Sequence, residues 1–313
     1  MFMKRYHTLV VAAALDDCDA TTLRHAARFA QTAESKTVYV AHVAPSFDLS
    51  AEAVAEHPEL VLPIDEEIEE RLKAAVEAQP GLFPEATQVH YVARQGAPVP
   101  ELLRLAAQKA ADLLFVGRQP REERDSRLSA SVVGLVRKAP CSVFIVPAGV
   151  EPQYTRILVP VDFSDHAREA LDVAVAVAAT CPGATITVLH VYGVPTGYGK
   201  TGRSYEEFAR SMQQLAEKNW DRFSQGVNFR SVPSSIRHEL SEQVSKTILA
   251  VADETDAHLI VLGSHGRTRP AGVLLGHVAD SVCSQTTRPL LCVKNKGEVV
   301  NFLHALLQLF ELE

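Results

Sequence analysis

An aspartate and three glycines in the second half of this 313-residue chain have the types and spacing of a phosphate site. Asp162 opens Asp162-Phe163-Ser164 directly after the apolar run Ile157-Leu158-Val159-Pro160-Val161. Gly263-Ser264-His265-Gly266 follows a second apolar run ending in Leu262, and Gly276-His277-Val278 comes after nine more residues, Arg267 to Leu275. Glycine has no Cβ, so backbone at positions 263 and 266 can approach a ligand closely. A helix beginning at Gly276 would offer unpaired N–H groups and positive dipole to an anion. A blander reading makes the glycines a tight loop and Asp162 a helix cap. Asp162 and the spaced third glycine, taken together, favour the ligand.

These residues need strands and helices to hold them. The runs at 157–161, 185–191, 258–262 and 290–293 read as strands, with a weaker one at 236–240, and the segments at 165–180, 205–223, 243–254 and 276–283 read as helices. Continuous apolar strands alternating with helices imply a parallel sheet covered on both faces, an α/β doubly wound fold with right-handed crossovers. In such a sheet a ligand lies beyond the carboxyl ends of the strands where their order reverses, which points to the loops after Val161 and Leu262, with Val191 ending a neighbouring strand.

The first half says nearly the same thing. Val38-Tyr39-Val40-Ala41-His42-Val43 returns as Ile186-Thr187-Val188-Leu189-His190-Val191, and Ala111-Asp112-Leu113-Leu114-Phe115-Val116-Gly117 returns as Ala257-His258-Leu259-Ile260-Val261-Leu262-Gly263. Matches in the same order imply one fold duplicated and fused, two domains in tandem. Pro147, Gly149 and Pro152 punctuate the junction, so the domains are placed at 1–149 and 150–296. The first copy has lost the phosphate pattern. Ala13 or Ala14 falls where Asp162 does, and Gly117-Arg118-Gln119-Pro120 leads after nine residues to Ala130-Ser131, with Pro120 and Ala130 replacing two of the three glycines. Any phosphate-bearing ligand is therefore expected in the second half.

On these residues the chain resembles the universal stress protein family in its tandem form, over nearly its whole length. The family's nucleotide-binding members carry an aspartate after the first strand and a loop G-x-x-G, nine residues, then G followed by Ser or Thr; this chain supplies Asp162, Gly263, Gly266 and Gly276, with His277 at the hydroxyl position. The resemblance implies Rossmann-like domains of the adenine nucleotide alpha-hydrolase kind. It also implies a site for ATP or another adenine nucleotide, with or without Mg, formed by Pro160, Val161, Asp162, Phe163, Val191, Leu262, Gly263, Gly266, Arg267, Gly276, His277 and Val278. A cytoplasmic sensor or regulatory switch is the function it suggests, with the two domains packing through their last strands as a pseudo-dimer and a homodimer as a further option. The alternative is an interaction module with no ligand, both sites being relics.

Composition narrows the classes. A net charge of −7 argues against sequence-independent nucleic-acid binding. The five cysteines have no C-x-x-C spacing and read as reduced, with Cys18 the one expected to be exposed. Lys4-Arg5 and the apolar run 9–15 imitate a signal peptide, but Asp16-Asp17 follow and the run recurs internally at 157–161, so both read as first strands, and no membrane span is expected. Gly197-Tyr198-Gly199-Lys200-Thr201 mimics a P-loop, yet Val194 stands where its first glycine belongs and Gly202 where its helix should start. The pair His42 and His190 reads as packed imidazoles. His265, His277, Arg267 and Arg269 are open between phosphate contacts, metal ligands in the case of the histidines, and ordinary surface groups. Asp65 to Glu70 is an acidic helix start. No catalytic constellation emerges, so an enzyme is not expected beyond weak ATP hydrolysis. Residues 297–313 form a separate segment whose apolar stripe, from Val299 to Phe310, predicts a docked amphipathic helix.

Overall fold

The alternation of strand and helix expected from the sequence is present throughout a computed structural model, which describes residues 5–45, 64–119, 126–266 and 275–294. The C-terminal helix expected at 298–313 lies outside the described residues, as do Arg267, Arg269 and Pro120. The chain divides between Pro152 and Gln153 into two units.

In the first unit the strands are β1 (Thr8–Ala12), β2 (Thr37–Ala44), β3 (Gln88–Gln95), β4 (Leu113–Arg118) and β5 (Ser142–Pro147). Its helices are α1 (Asp19–Ala33), α2 (Ile64–Glu77), α3 (Pro98–Gln108) and α4 (Ser126–Lys138). The strand order is β3-β2-β1-β4-β5, and the pairs within it are parallel. The second unit repeats this with β6 (Arg156–Pro160), β7 (Thr185–Tyr192), β8 (Ser234–Leu240), β9 (Leu259–Gly263) and β10 (Leu290–Val293), in the order β10-β9-β6-β7-β8. Its helices are α5 (Asp165–Ala178), α6 (Tyr205–Ser224), α7 (Val244–Glu254) and α8 (His277–Gln285). Order reverses between β1 and β4 in one unit and between β6 and β9 in the other, which opens a crevice where the chain leaves these strands.

Burial and apolar character go together in the strands. Residues of β5 and β10 are all buried, whereas β3 and β8 carry polar residues and half-exposed positions. The acidic run begins α2, and Ser204 with Glu207 forms a capping box on α6. The P-loop mimic is a 3₁₀ turn at Tyr198–Thr201 between two left-handed glycines, with no helix at Lys200. Four of the five free cysteines are buried, and Cys18 is the half-exposed one. No helix among the described residues is long and apolar enough to cross a membrane.

The first unit packs its core around rings. Phe29, Phe115 and Phe144 have centroids 5.1 to 5.9 Å apart, with Tyr6 on the edge of Phe29 at 5.3 Å. His25 is buried beside Phe144 and bonds through Nε2 to the Val150 carbonyl at 2.8 Å. A carbonyl only accepts, so the proton sits on Nε2. Desolvation lowers the His25 pKa to about 4, partly opposed by that hydrogen bond and by Glu151. Between that value and the unfolded value near 6.5 the unfolded chain holds the extra proton, so stability from this group is full above pH 6.5 and is lost as pH falls toward 4, to a limit of about 3 kcal/mol. Urea unfolding at pH 7 and 4.5 should show this loss in the wild type and much less of it in His25→Gln; equal losses would mean that other groups set the acid limit.

Candidate functional site

The histidines shared by the two halves define where each crevice begins. His42 Nδ1 donates to the Ala13 carbonyl at 2.9 Å, and His190 Nδ1 donates to the Val161 carbonyl at 2.8 Å. Each carbonyl ends the first strand's path, and the N–H groups of Ala13 and Val161 donate to Ala41 and Leu189 at 2.8 Å in the same way. The next residues are therefore equivalent: Ala14 matches Asp162, which settles the choice between Ala13 and Ala14. One residue further, Leu15 and Phe163 both adopt the left-handed region, at φ 61° and 65°. Such a turn is uncommon for residues with a Cβ. Its recurrence in both copies shows that the loop geometry survived the exchange of side chains.

In the second unit this turn aims Asp162 at the loop after β9. Ser164 donates to Asp162 Oδ1 from its N–H at 3.1 Å and its hydroxyl at 2.6 Å. Ser164, not Asp162, caps α5, accepting from the Ala167 N–H. The other carboxylate oxygen lies against Gly266, where an added Cβ would stand 2.6 Å from Oδ2. Gly263 is enclosed from another side, because a Cβ there would come within 2.7 Å of the His166 carbonyl oxygen. Gly276 donates its N–H to the Ser264 carbonyl at 2.8 Å, which folds the loop back so that α8 starts beside Gly266. The N–H groups that α8 leaves without a helical partner thus begin at His277, one residue later than the sequence suggested.

The structure accordingly brings Asp162, Gly263, Gly266 and Gly276 together at the ends of β6 and β9. His277 and Val278 are exposed on the first turn of α8, and Pro160, Val161 and Leu262 line the strand ends. Val191 sits near the end of β7, next to His190, whose ring packs on Phe163 at a centroid distance of 4.2 Å. Phe163 in turn meets Phe223 of α6 at 5.5 Å, and the Arg168 guanidinium lies 4.1 Å over the Phe223 ring. Arg168 and Phe223, which the sequence did not mark, brace this side of the crevice. His265 is buried, with Nδ1 3.0 Å from the Ser264 hydroxyl, so it is built into the loop instead of facing solvent. Among the described residues no group of His, Cys, Asp and Glu side chains is arranged to hold a metal ion.

The first unit differs in the placement of its carboxylate. Asp19, at the start of α1, accepts from the N–H groups of Ala14 and Leu15 at 2.8 and 2.7 Å; Ala167 holds the matching position in the second unit. Burial raises the Asp19 pKa, and these two hydrogen bonds oppose the rise. An apolar cavity of about 280 Å³ remains at the ends of β1, β2 and β4.

Comparison with known proteins gives the family directly: the model of the universal stress protein family matches residues 5–147 and again 153–294. The chain belongs to the universal stress protein family. Single-domain relatives each align with under half of it. A universal stress protein of Methanocaldococcus jannaschii is 28% identical over 165 residues, 46% of this chain and 97% of that one. A universal stress protein A homolog of Coxiella burnetii is 30% identical over 142 residues, 45% and 96%. Among solved structures, a universal stress protein from Archaeoglobus fulgidus superposes with a TM-score of 0.58 at 19% identity, covering 92% of this chain and 96% of its own. A protein of unknown function from Pseudomonas aeruginosa superposes at 0.64 and 14%, covering 98% and 99%. These last two likenesses concern the tandem α/β fold alone.

The contacts at the glycines separate two kinds of substitution. Gly263→Ala should cost about 1–3 kcal/mol, because its Cβ meets backbone that cannot swing aside. Gly276→Ala, whose Cβ would find its nearest atom at 3.4 Å, should cost less than about 1 kcal/mol. Denaturant midpoints compare them, and an equal effect would contradict the packing described around His166.

Proposed function

We propose that this universal stress protein binds an adenine nucleotide, ATP or a relative, in its second unit and acts through it as a sensor or regulatory switch. The observation that supports this reading is the packing of the Asp162 carboxylate against the Cβ-free backbone of Gly266, beside the start of α8. Backbone cleared of side chains, a helix N-terminus and one carboxylate are what a phosphorylated ribose needs: N–H donors for the phosphates and an acceptor for a hydroxyl or a partner for Mg²⁺. The residues present fit such a ligand. His277, exposed where the family pattern has a hydroxyl residue, can meet phosphate through a ring N–H. Arg267 belongs to the same proposal from sequence alone.

In this reading the described side chains at the crevice bind and orient the ligand. Equilibrium dialysis of ATP against the purified chain should give one site. Micromolar affinity corresponds to roughly 8 kcal/mol. Gly266→Val, which displaces Asp162, and Asp162→Ala should each weaken binding at least about tenfold, the loss expected for one charge-assisted contact, while Ala14→Ser leaves it unchanged. No saturable binding would favour a ligand-free interaction module, and loss caused by the Ala14 variant would put the nucleotide in the wrong half.

A further inference from the structure

The cavity of the first unit occupies the place equivalent to the crevice just described, yet its chemistry is different. It measures about 280 Å³, is partly open to solvent, and is lined largely by Ala12, Ala13, Ala41, Leu102, Val116 and Val132, from β1 and the residue after it, β2, β4 and the helices α3 and α4. An apolar cavity of about 150 Å³ stays dry and admits benzene. This one has room for a fused pair of rings.

Several of its polar groups are engaged within the fold. The Asp19 carboxylate is taken by the N–H groups of Ala14 and Leu15, and His42 Nδ1 by the Ala13 carbonyl. Gln119 reaches across to Asp16 at 3.4 Å. Two carboxylates, Asp16 and Asp19, stand in the lining against one guanidinium, Arg118, so the charge balance is negative and opposes a phosphate. Ala14 supplies a methyl group where the second unit has Asp162.

We propose that this cavity is a second binding site, for a small, uncharged, mainly apolar ring compound and not for a nucleotide. Burial of such a ligand draws on the hydrophobic effect, worth about 25 cal/mol per Å² of apolar surface removed from water. The proposal stands apart from the nucleotide site of the second unit, because the two sites share no residue.

Cys18 lies in the wall and, of the five cysteines, is the one not buried, so it reports on occupancy. The native full-length chain is labelled with a maleimide in the presence of indole, 2-naphthol or ATP, and thermal unfolding is followed in parallel. Indole or 2-naphthol should slow Cys18 labelling severalfold and raise the melting temperature, while ATP leaves the labelling rate unchanged. Ala41→Leu fills the cavity and should remove the protection; Ala14→Phe, at an exposed rim position, does the same should the first variant fail to fold. Labelling and melting both unaffected by either ring compound up to its solubility limit would overturn the proposal, as would protection of Cys18 by ATP.

Discussion

Each half of the molecule depends on one hydrogen bond between neighbouring strands, from a histidine in the second strand to the carbonyl at which the first strand's path ends. At 2.9 Å in the first unit and 2.8 Å in the second, it fixes where the chain leaves the sheet. The residue two further on then turns through a left-handed conformation, and the loop crosses toward the strand on the other side of the reversal in strand order. The imidazole ring bonds a backbone group that a parallel ladder leaves unpaired at its end, and a buried unpaired carbonyl is costly. With that point held, substitutions around the loop can change what the crevice does while the turn keeps its conformation.

The two units show that change. In the second, the carboxylate is on the loop, at Asp162, and is packed against Gly266. In the first, it has moved to the helix start, at Asp19, where it consumes two loop N–H groups. The same scaffold is then either an arrangement suited to phosphate or an apolar hollow. The two copies of one duplicated fold have diverged at this crevice. Membership of the universal stress protein family explains the scaffold.

Much of this was legible in the sequence, because parallel strands buried on both faces leave continuous apolar runs, and the runs at 157–161, 185–191, 258–262 and 290–293 were each read within one residue of the observed ends. The exception among the strands shows the limit: β8 begins at Ser234, two residues before the run at Ile236, since an edge strand can pair Ser234 and Ser235 with β7 without apolar side chains. Asp162 and the three glycines were found by spacing, and so was the loss of their counterparts. The choice between Ala13 and Ala14 needed the histidine bond, and the brace of Arg168 on Phe223 joins residues 55 apart, which no local pattern reveals. The cavity of the first unit was invisible for a related reason. Its signal, the run Ala12-Ala13-Ala14 of small side chains, has meaning only once Ala41, Leu102 and Val132 are seen to surround the same space.

We propose that the crevice of the second unit, and not that of the first, meets the nucleotide. Backbone amide NMR spectra recorded during a titration with ATP test it most directly, since each loop reports under its own resonances. The signals of Asp162, Gly266, His277 and Val278 should shift together and saturate, with Ala14, Leu15 and Gly117 unmoved. Shifts confined to the first-unit residues, or saturation in both sets at the same concentration, would contradict it.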